Sequence, residues 1–138
     1  MEDNIHLTYP MVLVDPDLEH DPEARRNDIG IVTSAADASK EHFNVSFQDN
    51  TSSVLASADL FVLKPIEEIQ RTLLDHGADI AFPDLKALTH LFLTLRHGIG
   101  DKIWDALKIA SNNPSIHPLC LETLQNTMYI PLAHNHKR

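Results

Sequence analysis

The spacing of apolar residues changes near Pro65, from alternation at every second position to recurrence at every third or fourth. Before that point, short apolar runs bounded by proline, glycine and polar residues predict β-strands. After it, apolar stripes with charged residues opposite predict amphipathic helices. We therefore expect an α+β protein in which the strands come first and the helices second.

The first part of the chain predicts five short strands. The third strand alternates most clearly, since Phe43, Val45 and Phe47 share one face and polar residues share the other. Gly30 in the second strand indicates either a bulge or the close approach of another backbone. Five strands within roughly 55 residues are typical of a closed or nearly closed barrel. The predicted strands are residues 11–14, 29–33, 43–48, 54–57 and 60–63.

The segments 28–32, 43–47 and 57–63, with a polar turn between the second and third, resemble the SH3-like small-barrel superfold, whose layout Tudor and KOW modules share. The resemblance covers about residues 10–64 and implies a small N-terminal β-barrel. It selects no single family. The segment lacks the basic surface of KOW modules that bind nucleic acid, and it lacks the clustered surface aromatics of a Tudor cage.

The second part of the chain predicts a bundle of three to four α-helices. The first helix begins after Pro65 and ends near Gly77. Pro118 is expected to open the last helix, because proline suits the first helical turn, and Pro131 to end it. The predicted organisation is therefore an acidic barrel, a helical subdomain and a mobile tail, at residues 1–64, 65–131 and 132–138.

A long apolar stripe lies between the first and last helices. It extends over about residues 85–110 and is interrupted by Gly98 and Gly100. The two glycines favour two helices, over about 83–97 and 101–112, with one kinked helix as the alternative.

Composition limits the class of protein. At 138 residues, the chain is expected to form one compact unit or two small subdomains. No apolar run approaches the ~20 residues of a membrane span, and the acidic start has no apolar segment of signal length. The single cysteine, Cys120, excludes an intrachain disulfide and fits a reducing compartment. These features favour a cytoplasmic protein without membrane partners.

The acidic charge belongs mainly to the predicted barrel. The formal net charge is −9, and residues 1–64 contain 12 acids and 4 bases, which is a net −8. Nucleic-acid affinity requires patches of lysine and arginine, so no nucleic-acid partner is expected. A basic protein surface is the complementary partner, although net negative charge also serves solubility alone.

The densest group of charges is a run of alternating acids between the first two predicted strands. A solvated loop is its simplest interpretation. Oxygen ligands for Ca²⁺ are the second, although the run lacks the turn glycine and the terminal glutamate of an EF-hand loop. A docking loop for a basic partner is the third. The acids of the run are Asp15, Asp17, Glu19, Asp21 and Glu23.

Asp49 and Asn50, in the predicted turn 49–53, complete the candidate partner contacts, because loops on a rigid scaffold often carry function. The pattern assigns no catalytic residue, cofactor or metal. His90 and His97 share a helix face but are only two ligands, and zinc needs three or four.

Cys120 has His117 nearby but apolar neighbours, which favour a buried and inert thiol over a nucleophile. The sequence therefore favours a non-enzymatic protein-interaction or adaptor protein. The alternative is a small enzyme whose histidines and aspartates converge only in the fold. Consecutive Leu91, Phe92 and Leu93 cannot all face one way, so one of them contacts another element or a second chain, which leaves a homodimer open.

Overall fold

A computed structural model describes residues 10–21 and 23–127. The protein is mixed α+β, as the change of period predicts. The predicted tail 132–138 and the predicted helix end at Pro131 lie outside the described residues. The strands are β1 Met11–Val14, β2 Ile29–Ala35, β3 His42–Phe47, β4 Ser52–Ala56, β5 Leu60–Leu63 and β6 Leu121–Thr123.

Four α-helices lie between β5 and β6. The predicted pair of helices across the long stripe is confirmed, and the single kinked helix is wrong. Ser57–Asp59, Gly77–Asp79 and Pro114–Ile116 are short 3₁₀ turns. The α-helices are α1 Ile66–His76, α2 Phe82–His97, α3 Lys102–Ser111 and α4 His117–Cys120.

The predicted last helix is wrong at residues 121–123. Pro118 does open a helix, but α4 contains four residues and gives way to the strand β6. Residues 124–127 are helical again, and the hydroxyl of Thr123 accepts a hydrogen bond from the N–H of Asn126 (3.0 Å). The helical spacing of Leu121 and Leu124 gave no sign of the strand, because a strand needs a partner that is distant in sequence.

The described chain divides into two compact units. Residues 10–62 and 123–127 form the sheet unit, and residues 63–122 form the helical unit. No described helix is both long enough and apolar enough to cross a bilayer.

The six strands form one sheet in the order β4-β3-β2-β1-β5-β6. Neighbouring strands from β4 to β5 are antiparallel, with Val12 opposite Gly30 and Phe43 opposite Leu55. The register shifts between Val32 and Ser34, so the bulge lies beyond Gly30. The order has two ends, and no pairing within the described residues joins them.

The core of the sheet unit consists of the inward residues of successive strands. The predicted face of Phe43, Val45 and Phe47 is buried, with 6% exposure or less. Gly30 is a close approach, since a Cβ atom there would lie 2.5 Å from Cγ1 of Val45. The core residues are Val12, Val14, Leu18, Val32, Phe43, Val45, Phe47, Leu60, Val62 and Leu124.

In the helical unit, the long stripe is buried at Leu88 and Leu95 of α2 and at Leu107 and Ala110 of α3. The stripe is exposed between the two helices, where Ile99 is 93% exposed, and at the start of α3, where Ile103 is 40% exposed. Gly98 ends α2 in an extended conformation, and Gly100 adopts a left-handed one, so the helical periodicity stops at Ile99.

Candidate functional site

A cleft of about 620 Å³ opens on the sheet unit. One wall is the loop between β1 and β2, and the other is the segment 53–56 of β4. His42 and Asp59 also border it. Asp59 lies in the 3₁₀ turn between β4 and β5, so two connections of the sheet, the β1–β2 loop and this turn, meet at this surface.

Carboxylates dominate the lining of this acidic cleft. Among the described residues, six acids border it together with one guanidinium, that of Arg25. Five of the acids are those of the alternating run, and the structure therefore brings that run to a concave surface. The six are Asp15, Asp17, Glu19, Asp21, Glu23 and Asp59.

Backbone hydrogen bonds to two of the acids shape the loop. Oδ1 of Asp15 accepts a hydrogen bond from the N–H of Asp17 (2.8 Å). The carboxylate of Asp21 accepts from the N–H groups of Arg25 (2.7 Å) and Arg26 (2.9 Å). These bonds hold the pKa of Asp21 below its ordinary value, with the charges of the two arginines adding to the effect. Asp21 therefore acts as a structural acceptor within the loop.

Arg25 ties the loop to the turn between β3 and β4. Its guanidinium lies 4.2 Å from the ring centroid of Phe47 and 3.4 Å from a carboxylate oxygen of Asp49. It also donates to the hydroxyl of Thr51 and lies 3.3 Å from Asp28. The Arg25 side chain is only 13% exposed, so its positive charge acts mainly on these neighbouring groups.

Asp49 and Asn50 lie in this turn and do not line the cleft. A hydrogen bond from the Thr51 hydroxyl is the main cause of a lowered pKa at Asp49. Asn50 adopts a left-handed conformation, with φ of 69°, as the turn requires. The structure thus separates these two predicted contacts from the five acids of the run.

Asp59 is the acid of the cleft whose pKa is raised. Burial is the main cause, and the negative charge of Asp15 adds to it, while the charge of His42 opposes it. The N–H of Asp15 donates to the C=O of Asp59 (2.9 Å), which brings the two residues together at the end of β1.

The free edge of β4 borders the cleft opposite the acids. β4 is the first strand in the sheet order and, among the described strands, pairs with β3 alone. The N–H of Ser57 donates to the C=O of Glu41 (2.8 Å), and the N–H of Phe47 donates to the C=O of Thr51 (2.9 Å). Because every second residue of an antiparallel strand bonds to its neighbour, these two bonds fix which residues of β4 bond to β3. The peptide groups that face away from β3 are therefore those of Ser52, Val54 and Ala56.

The sequence pattern did not mark Asp59, His42 or residues 54–56 of β4 as lining residues, and it marked Ser53 only as the end of the turn 49–53. They come next to the acidic loop only through the pairing of strands, so no local pattern marks them. One hydrogen bond joins the acidic loop to β4, since the side chain of Glu23 accepts it from the Ser53 hydroxyl. The sequence does contain a signal for Arg25, because Arg25 and Arg26 are consecutive bases that follow the acidic run after Ala24.

The remaining candidates are dispersed. His90 and His97 are exposed on α2, and among the described residues no three histidine, cysteine or acidic side chains are placed to hold a metal ion. Cys120 is fully buried, its thiol donates to the C=O of Ile116 (3.4 Å), and burial raises its pKa to about 12. Nε2 of His117 lies 2.7 Å from the carbonyl oxygen of Ala110.

Two further surfaces belong to the helical unit. A second cleft of about 460 Å³ is bordered by Lys64, Arg96 and Lys102 with apolar residues between them, and no acid is among its described lining residues. Leu91 is fully buried and Leu93 is 46% exposed, so the homodimer that the sequence leaves open is testable at Leu93. Comparison with known proteins finds no matching family model, no similar curated protein and no similar solved structure.

Proposed function

We propose that the protein is a non-enzymatic adaptor that binds a basic segment of a partner protein in the acidic cleft of its sheet unit. The observation that carries the proposal is the lining of the cleft. Among the described residues, six carboxylates and one guanidinium, which already contacts other side chains, border a volume of about 620 Å³. Opposed charges steer encounter and select partners, so this surface favours lysine and arginine and disfavours phosphate backbones. The single, buried cysteine supports a reducing cytoplasmic setting for this partner.

We also propose that residues 10–64 form an SH3-like small barrel. Asp15 at the end of β1 and Val54 of β4 border the same cleft. In a flat sheet with this strand order, three strand spacings, about 14 Å, would separate them. A shared cleft supports a curled sheet, and an experimental structure with a flat β4-β3-β2-β1 sheet would contradict the proposal.

Direct binding of a basic probe tests the adaptor proposal. The probe is a fluorescently labelled decapeptide of alternating lysine and threonine, and the measurement is fluorescence anisotropy. We expect saturable binding at about 50 mM salt and a loss at about 500 mM, because salt screens exposed charges. An oligonucleotide of the same length is expected to show no binding.

Matched charge variants locate the binding. Asp17→Asn with Glu19→Gln removes two cleft charges whose carboxylates make no hydrogen bond to other described residues. We expect about tenfold weaker binding of the peptide at low salt. Asp75→Asn with Asp79→Asn removes the same charge from the helical unit and is expected to leave binding unchanged. Equal loss in both double variants, or no binding by the wild type, would overturn the proposal.

An acid–base enzyme is the second candidate, because the cleft contains two carboxyl groups whose pKa values move in opposite directions. Burial raises the pKa of Asp59, and backbone hydrogen bonds lower the pKa of Asp21. A panel of chromogenic esters and glycosides tests this candidate. Turnover that Asp59→Asn abolishes would support it, and absence of turnover by the wild type would remove it.

A further inference from the structure

Among the described residues, only β3 pairs with β4, so the outer edge of this strand is unprotected. Natural edge strands usually carry lysine, proline or a bulge that prevents pairing with another chain. The residues of Ser52–Ala56 include no charged residue and no proline, and the pairing with β3 shows no register shift. Val54 is 57% exposed. No described residue pairs with this edge, so it can accept a further strand.

The edge of β4, rather than one of its faces, lines the cleft. Side chains alternate between the two faces of a strand, yet four consecutive residues, 53–56, border the acidic cleft. Consecutive residues share only the edge of their strand. The outward N–H and C=O groups of Val54 and Ala56 are thus exposed to whatever occupies the cleft, and no other described residue bonds to them.

The opposite wall selects the chemistry of the occupant. The acids of the loop between β1 and β2 face the same cleft, and Asp17 and Glu19 are exposed. A segment that paired with β4 would place its alternate side chains beside this wall. Charge complementarity favours lysine or arginine at those positions.

We propose that the partner binds as an extended, lysine- or arginine-rich segment that adds a strand to β4. Backbone hydrogen bonds to Val54 and Ala56 supply part of the affinity, and the acids of the facing loop supply the preference for basic side chains. This inference rests on the proposed adaptor function, and it specifies the conformation and the chemistry of the partner segment.

A backbone-modified probe separates strand addition from attraction between charges. The labelled decapeptide of alternating lysine and threonine is compared with the same peptide N-methylated at every residue, which keeps the charges and removes the backbone donors. Strand addition predicts that methylation weakens binding by about tenfold or more, since several hydrogen bonds are lost. This comparison uses the wild-type chain and depends on no variant.

A proline variant tests the same edge from the protein side. Val54→Pro removes an N–H group that faces away from β3, so the ladder keeps its hydrogen bonds. We expect about tenfold weaker binding of the unmodified peptide than by the wild type, while Val54→Thr, which keeps the N–H group, loses less affinity than Val54→Pro. Circular dichroism verifies that both variants are folded.

The outcomes distinguish the two proposals. Weaker binding of the methylated peptide, together with weaker binding by Val54→Pro, supports strand addition. Equal binding of both peptides by the wild type overturns strand addition and leaves the adaptor proposal standing, because the basic probe still binds. No binding of the unmodified peptide by the wild type overturns both.

Discussion

At the scale of single residues, Gly30 shows how closely β2 and β3 pack. A Cβ atom there would lie 2.5 Å from Cγ1 of Val45 and 2.9 Å from the carbonyl oxygen of Ser46. Gly30→Ala is therefore expected to lower the free energy of unfolding by about 1–3 kcal/mol, since β3 must move. Urea denaturation measures the change.

Gly77→Ala is the matched control for this substitution. Gly77 has helical dihedral angles, and the nearest atom to an added Cβ atom would be Cδ1 of Leu85 at 3.8 Å. This variant is expected to be as stable as the wild type or more stable. Equal stability of Gly30→Ala and wild type would show that the approach of β3 to β2 is less close than described.

Asp37 gives a pH dependence with a definite sign. A hydrogen bond that the carboxylate accepts from Nδ1–H of His42 (2.9 Å) is the main cause that lowers the pKa of Asp37 to about 2. The unfolded value is about 3.9, so the stabilising contribution is complete above about pH 4 and is lost as the pH falls toward about 2. Asp37→Asn should have a lower Tm than the wild type at pH 6, and this difference in Tm should become smaller as the pH falls.

Asp75→Asn is the control for Asp37, because Asp75 is exposed and bonds to no other described side chain. Its Tm is expected to follow that of the wild type over the same pH range. A Tm difference for Asp37→Asn that stays constant from pH 6 to about pH 3 would contradict the assignment of the hydrogen bond to the ionised carboxylate.

At the scale of elements, α3 begins at a side-chain cap. The carboxylate of Asp101 accepts a hydrogen bond from the N–H of Trp104 (3.2 Å). Asp101→Ala is expected to lower the free energy of unfolding by about 1 kcal/mol, because the N–H loses its acceptor. Asp101→Ser keeps an acceptor and should stay within a few tenths of a kcal/mol of the wild type. Equal losses in both variants, measured in urea, would rule out the cap.

Local pattern predicted most of these elements and failed where pairing is remote. The bounds of β1 and β5 were predicted to the residue, because Pro10, Asp15 and the turn before Leu60 delimit short apolar runs. β6 was not predicted, since Leu121–Thr123 follows a proline and continues a helical spacing. Its extended form depends on a sheet whose other strands are formed far earlier in the chain.

The candidate site divides in the same way. The five acids of the run are visible in the sequence, and the structure places all five on the cleft. Their facing wall was not predictable, because Val54 and Asp59 reach the cleft through strand order alone. Asp49 was predicted as a partner contact from its place in a turn, but it lies beside Arg25 instead of in the cleft.

At the scale of the whole molecule, charge and shape coincide on the sheet unit. Most of the net charge of −9 belongs to residues 1–64, and the acidic cleft lies within that segment. The second cleft, in the helical unit, is bordered by Lys64, Arg96 and Lys102 and is therefore disfavoured for a basic partner. We therefore expect a basic probe to bind the acidic cleft and not the second cleft.

The most direct test of the account is an NMR titration of the ¹⁵N-labelled protein with the decapeptide of alternating lysine and threonine. We predict saturable shifts of the amides of Val54, Ala56 and the loop from Asp15 to Asp21, with amides around Lys64 and Lys102 unchanged. Shifts that centre on the helical unit, or no shifts at low salt, would contradict the acidic cleft as the recognition surface.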